Sequence, residues 1–274
     1  IALTLAFSFY FSKTVYADTQ DTNRYIGVTS DIHHKFSNLS TWLSNLKKSS
    51  ESPDYMIFGG DYTGPEDAET CISEVKKQFS KTPSILTKGN HESGKGGTYA
   101  SGLVVNNNYY AVYVMDSSSK SFTESDMKNL KTSLNSIDSS KPVFVFSHCP
   151  IHYFGKRTTD NASELLTLLN NYSNVIFLWG HNHTVEDTNY GTVKIKDDTI
   201  QCSKSSSPVH INFTYANMGC MKQGNNGAYG LLINLISKNN SADINFYYKD
   251  LSGKTVSNYS VKIAHIAATP KTPE

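Results

Sequence analysis

Five segments, each at the end of an apolar run, carry residues that bind metal ions. They are Asp31-Ile32-His33, Asp61, Asn90-His91-Glu92, His148 and His181-Asn182-His183. The donors are carboxylate, amide and imidazole, with no thiolate among them. That set suits Mn²⁺, Fe or Zn²⁺ and does not choose among them. His33, His91, His148, His181 and His183 are five of the nine histidines in 274 residues. A single histidine after a strand is more often a hydrogen-bonded structural residue. Five such ends together predict one metal-binding patch.

The third segment admits another chemistry. Gly89, four residues, Gly94 and then Lys95 nearly spell a phosphate-cradling loop. Such a loop needs Ser or Thr after the lysine and a helix to receive the phosphates. Here Gly96 and Gly97 follow, and the Asn106-Asn107-Asn108 run beyond them is poor helix material. Lys95 is therefore expected to be solvated, and Asn90 and His91 to carry the chemistry.

The elements that must position these residues alternate. Strand-like runs are expected at 25–30, 55–58, 85–87, 109–115, 143–146 and 175–179. Amphipathic helices are expected at 37–48, 65–79, 122–137 and 161–169, the third capped by Thr123 with Asp126 in its first turn. After His183 the pattern is strands and turns, at 193–195, 209–213, 230–235 and 244–248. This predicts an α/β domain with a second, β-rich sheet. Ligands of open α/β sheets bind beyond the carboxyl ends of the strands, where all five segments lie.

The ordered series Asp31-x-His33, Gly60-Asp61, Gly89-Asn90-His91-Glu92, His148 and Gly180-His181-Asn182-His183 resembles the calcineurin-like metallophosphoesterases over roughly 25–185. The resemblance implies a four-layer αββα sandwich of two mixed β-sheets flanked by helices, with the metal site at the strand carboxyl ends. It implies two divalent ions. Asp31, His33, Asp61 and His183 would hold one. Asp61, Asn90, His148 and His181 would hold the other, with Asp61 bridging. His91 would face the substrate as the catalytic acid. The implied reaction is hydrolysis of a phosphomonoester or phosphodiester by direct attack of metal-bound hydroxide, which paired ions make available at neutral pH.

Departures from the family pattern narrow the subfamily. Protein Ser/Thr phosphatases carry Gly-Asp-x-x-Asp-Arg-Gly, whereas Tyr62-Thr63-Gly64-Pro65 follow Asp61 here. Purple acid phosphatases place a tyrosine ligand where this chain has Gly64, and Tyr62 is out of register. Glu92 is open to a role in orienting His91 or to a structural one. His34, His152 and Arg157 lie near the ligand segments and are candidate substrate contacts, with an ordinary surface role as the alternative reading. His210 and His265 are read as structural. Two other functions stay open: a nuclease of the same superfamily, and a non-catalytic, metal-stabilised binding module.

Composition bounds the partners. Charged residues make up 18% of the chain and the net charge is +1, so no basic stripe for nucleic acid is expected. A small phosphate-ester substrate and a monomer are expected. Residues 1–11 are almost wholly apolar and Val15-Tyr16-Ala17 precedes a polar run. This reads as a partial signal peptide over 1–17, too short to span a bilayer. The chain is thus expected to be secreted or extracytoplasmic, with no stable membrane span once mature. The catalytic domain is expected over 24–250, followed by a terminal strand and loose tail over 251–274. Cys71, Cys149, Cys202 and Cys220 form no CxxC pair. They are read as free thiols or up to two disulfides, with Cys202–Cys220 favoured. The loops 94–108, 151–160 and 223–230 are expected to shape the pocket.

Overall fold

The computed structural model describes residues 22–49, 52–223, 227–238 and 241–264. The expected leader (1–17), the tail from 267, His265 and part of the 223–230 loop lie outside the described residues. Strand β1 (Thr22–Thr29) leads through helix α1 (Phe36–Ser49) to β2 (Tyr55–Phe58), and β2 leads through α2 (Pro65–Gln78) to β3 (Ser84–Leu86). Then follow β4 (Gly102–Asn106), β5 (Ala111–Met115), α3 (Glu124–Ser136), β6 (Val143–Ser147), α4 (Ala162–Leu169) and β7 (Val175–Trp179). The rest is strand: β8 (Val193–Lys194), β9 (Thr199–Ile200), β10 (Val209–His210) and β11 (Thr214–Asn217). After these come β12 (Gly219–Cys220), β13 (Tyr229–Lys238), β14 (Ser241–Asp250) and β15 (Thr255–Ala264).

Two mixed sheets face each other. One runs β15-β14-β13-β1-β2-β3, with β12 also pairing β13; the other runs β4-β5-β6-β7-β11-β8. The apolar runs 143–146 and 175–179 are continuous because both of their faces are buried. Phe144, Phe146, Ile176 and Leu178 point into the layer between the sheets, with Ile26, Val28, Ile57 and Ile233. Val143, Val145, Val175 and Phe177 point the other way, onto the core beneath α3 and α4. Helices α1 and α2 cover the far side of the first sheet through Leu39, Trp42, Leu43, Cys71 and Val75. The result is the four-layer arrangement, helices outside and sheets inside.

Local chemistry sets the helix boundaries. Thr123 caps α3 by accepting a hydrogen bond from the Asp126 amide at 3.1 Å, a contact worth ~1 kcal/mol. Pro65 opens α2 with Glu66 and Asp67 in its first turn, and Lys76 and Lys77 lie in its last. Both placements complement the helix dipole.

The structure corrects three expectations of the fold. Apart from the small antiparallel β9–β10 pair, the late strands do not make a sheet of their own. β13, β14 and β15 extend the first sheet through the antiparallel β1–β13 pair, while β8 and β11 extend the second. The 209–213 run is only partly strand, and β11 begins one residue beyond it. Residues 102–106, expected to be loop, form edge strand β4 against β5, with a bulge between Leu103 and Val105. The four cysteines are buried free thiols. Cys202 packs beside Ile211 and Tyr215 in the outer core, whereas Cys220 lies in β12 of the first sheet, so the favoured disulfide is not formed. Among the described residues no helix is long and apolar enough to cross a membrane.

Candidate metal centre

All five segments leave parallel strands at the same end. Asp31 and His33 follow β1, Asp61 follows β2, Asn90 and His91 follow β3, His148 follows β6 and His181 and His183 follow β7. The turns that aim them are tight. Asp31, His33, Asp61 and His181 have φ of 49°, 44°, 55° and 67°, in the left-handed region that non-glycine residues rarely adopt. Such conformations cost about 1–3 kcal/mol each and persist where the surroundings enforce them. At the crossing of two loops the backbones nearly touch. A Cβ on Gly60 would stand 2.6 Å from the Gly89 Cα, and one on Gly89 would stand 2.2 Å from the Asp61 nitrogen. Only glycine fits both positions.

The loops are laced by hydrogen bonds that leave one atom of each side chain facing inward. The Asp31 Oδ2 accepts from the His181 amide at 2.9 Å, and the Asp61 Oδ1 accepts from the His91 amide at 2.9 Å. His148 Nδ1 lies 2.7 Å from the Gly59 carbonyl, which fixes the ring and turns Nε2 toward the site. That Nε2 is 3.3 Å from Asp61 Oδ2 and 3.1 Å from Asn90 Oδ1. His33 Nε2 is 3.6 Å from the same Asp61 oxygen and 3.8 Å from Asp31 Oδ1. Asp31 Oδ1 and His33 Nε2 are buried without a hydrogen-bond partner.

Donors this close, with buried lone pairs left unpartnered, are arranged for a cation rather than for one another. Three overlapping groups have ligand atoms within 4.8 Å of each other: Asp31, His33 and His183; His33, Asp61 and His91; and Asp61, His148 and His181. Asp61 belongs to two of them. Burial opposes ionisation of Asp61 and Asp31, yet the surrounding histidines hold both carboxyls below the usual range. Burial would lower His148, but the Asp61 and Asp31 carboxylates draw it up to about 9. Burial, and next the charge of His148, push His181 down to about 3. Buried carboxylates in this number require positive charge beside them, which divalent ions would supply.

Other expected site residues separate under the structure. Arg157 joins the cavity and its Nη1 donates to the His181 carbonyl at 2.8 Å. His152 does not. It is buried, with Nδ1 2.7 Å from the Tyr215 hydroxyl, Nε2 2.7 Å from Asp187 Oδ2 and its ring against Trp179. Asn182 donates to the same Asp187 oxygen at 2.9 Å, so this network holds the turn that carries His181 and His183. His34 is exposed and sits with Thr63 and Asp67, outside the cavity lining. Lys95 is exposed, as expected, and also donates to the Thr63 carbonyl at 2.8 Å. His210 is exposed and its Nδ1 lies 2.7 Å from the Asp197 carbonyl.

Glu92 does not orient His91. Its buried carboxylate accepts from three backbone amides, those of Asp61 at 2.9 Å, Thr63 at 2.9 Å and Gly89 at 3.0 Å. It thereby clamps the second loop to the third. Tyr62 is likewise internal, donating to the Phe58 and Thr87 carbonyls at 3.0 Å. No helix receives the 94–97 glycines; a single 3₁₀ turn, Asn90–Glu92, follows β3 instead, which removes the phosphate-loop reading. Lys120 and Lys222 also line the cavity. As isolated lysines in a lysine-rich chain they carried no spacing that marked them.

Comparison with known proteins was informative at the level of family. No curated protein matches the chain. A conserved uncharacterized protein of Streptococcus pneumoniae, described as a predicted phosphoesterase, is 12% identical, with 89% of this chain and 98% of that one covered at a TM-score of 0.42. Vacuolar protein sorting 29 of Cryptosporidium parvum is 11% identical, with 88% and 98% covered at 0.41. Phosphopantetheinyl hydrolase of Mycobacterium tuberculosis is 11% identical, with 73% and 91% covered at 0.38. These likenesses are too distant to carry a functional argument. The calcineurin-like phosphoesterase family model matches residues 24–185, more than half of the chain, and the chain belongs to that family.

Proposed function

We propose that this protein is a metal-dependent hydrolase of small phosphate esters. The observation that carries the reading is the sharing of Asp61 between two ligand groups at the floor of one cavity. Asp31, His33, Asp61 and His183 would hold one divalent ion. Asp61, Asn90, His148 and His181 would hold a second, with the Asp61 carboxylate common to both. Paired divalent ions supply activated water and offset charge on the phosphoryl group when bound.

The protein's own part is positioning and proton transfer. The backbone clamps described above fix the ligands before substrate arrives. Arg157 lies on the wall where a phosphoryl oxygen would stand, and its planar donors suit phosphate. The His91 side chain is half exposed at the cavity, and its backbone, through the Asp61 contact, is fixed independently of the ring. Its imidazole would give a proton to the leaving oxygen. Export from the cytoplasm is part of the proposal and rests on the apolar 1–11 run and the Val15-Tyr16-Ala17 stretch before a polar run.

The test is hydrolysis of p-nitrophenyl phosphate and bis(p-nitrophenyl) phosphate by protein loaded with Mn²⁺, with metal content measured. Turnover that stops on chelation and returns with metal is the expected result. Fully loaded protein that cleaves neither ester would sink the hydrolase reading in favour of a binding module.

A further inference from the structure

The cavity above the ligands has a volume of 220 Å³ and is lined by Asp61, Asn90, His91, Lys120, Arg157, His181, His183 and Lys222. None of these is apolar. Sites for drug-sized ligands run to about 300–1,000 Å³ and are mostly apolar. This one can hold a phosphoryl group and its immediate neighbour, and among the described residues its lining side chains are all polar or charged.

Its charge is lopsided. Three cations face one carboxylate among the lining residues. They come from three separate loops, each pinned by its backbone. The Lys222 amide donates to the Asp31 carbonyl at 3.0 Å, and the Asp160 amide donates to the Lys120 carbonyl at 2.9 Å. The Arg157 amide donates to the Phe154 carbonyl at 2.9 Å, and its guanidinium is anchored on the His181 carbonyl. Lys222 Nζ lies 3.5 Å from His183 Nε2, so one ammonium stands at the rim of the ligand cluster. Two divalent ions exceed the combined charge of Asp31, Asp61 and one bound hydroxide by about one positive charge. A phosphate monoester brings about −1.5 to −2 at neutral pH, so one side-chain cation, Arg157, completes its neutralisation. Lys120 and Lys222 are then surplus to a single phosphate.

We propose that the substrate carries two neighbouring phosphate groups, one cleaved at the metals beside Arg157 and the other held by Lys120 and Lys222. This rests on the hydrolase reading and specifies its substrate class. In the reaction the water oxygen bonds to phosphorus and the ester P–O bond breaks. The leaving oxygen takes a proton. The products are inorganic phosphate and an alcohol that keeps the second phosphate. Clefts lined by one sign of charge also gather such anions from solution.

Calorimetric binding of methylphosphonate and tetramethylenebisphosphonate, whose two groups are spaced like esters on neighbouring carbons, to the Mn²⁺-loaded chain tests the inference, because neither probe is hydrolysed. The bisphosphonate should bind at least about tenfold tighter, given what a charge-assisted hydrogen bond contributes. Lys120→Ala and Lys222→Ala, both at exposed positions, should each erase most of that advantage at unchanged metal content. Equal affinities for the two probes would overturn the inference. So would an advantage that survives both substitutions, since the metals alone would then hold the second group. Turnover of p-nitrophenyl phosphate by the same preparations judges the hydrolase reading separately. Turnover without the bisphosphonate preference removes only this inference; the preference without turnover removes the hydrolase reading and leaves a binding site for two phosphates.

Discussion

Replacing Glu92 by glutamine isolates the clamp beneath the site. Glutamine keeps the size of the side chain and one acceptor oxygen. Placed where Oε2 stands, that oxygen retains the bonds from Asp61 and Gly89; the amide nitrogen then faces the Thr63 amide, donor against donor. A hydrogen bond to a charged group is worth about 1.5–3 kcal/mol, and an unsatisfied buried donor costs about 1–3 kcal/mol. These are two views of the same loss. Adding the weakening of the two retained bonds gives about 2–4 kcal/mol in total. For a domain of this size a loss of 1 kcal/mol shifts the melting temperature by about 2–4 °C, so Glu92→Gln should lower it by about 4–16 °C. The assay is thermal unfolding of chelator-treated protein, which separates the clamp from any change in metal binding. A shift below about 2 °C would refute the claim that Glu92 holds these loops. Glu92→Ala, which strands all three amides, should be worse than Glu92→Gln.

Other perturbations separate the roles assigned to neighbouring residues. His91→Ala should slow turnover by about 10²–10⁴ with metal content intact, because its backbone contact with Asp61 survives; Asn90→Ala should lose both turnover and metal. His152→Ala should cost the buried Asp187 one of its hydrogen bonds while the Asn182 and Asn189 bonds remain, a loss of about 1–3 kcal/mol, and weaken metal retention without raising KM in fully loaded protein. A raised KM with normal metal affinity would instead make His152 a substrate contact. Burial opposes ionisation of Asp187, but its bonds from His152 and the Asn189 and Asn182 donors hold its pKa below the usual range. A carboxyl depressed in the folded state stabilises above its unfolded pKa of about 3.9, and that contribution fades as pH falls through the folded value. The wild type should therefore lose more stability than Asp187→Asn on acidification below about pH 4, measured by denaturant melts without metal.

Much of this was legible in the sequence because burial writes itself into strands. Val143-Phe144-Val145-Phe146 is apolar at every position since both sheet faces are covered, and each such run ends where a ligand begins. Gly60 and Gly89 were legible as part of the family pattern, but the loop crossing that requires them is visible only in the structure. What was not legible depended on contacts between distant segments. His152 looked like a substrate residue from its place after His148; only Tyr215 and Asp187, far along the chain, show that it is internal. Lys120 and Lys222 acquire meaning from the cavity they share. Strand β4 was hidden because Gly102 and the asparagines after Asn106 frame an apolar run of only three residues.

The pairing of β1 with β13 sets a rule for the order of assembly. Thr22 faces Ser237, and Val28 faces Leu231, so the first strand waits for nearly the last to complete its sheet. The amides of Met221 and Lys222, just before β13, also close on the Ser30 and Asp31 carbonyls. Contacts of such long sequence separation form slowly. On a ribosome, the segment carrying every ligand would emerge with one edge of β1 still bare, and bare strand edges invite aggregation. Cutting the chain after the 24–185 segment would leave the same edge open permanently.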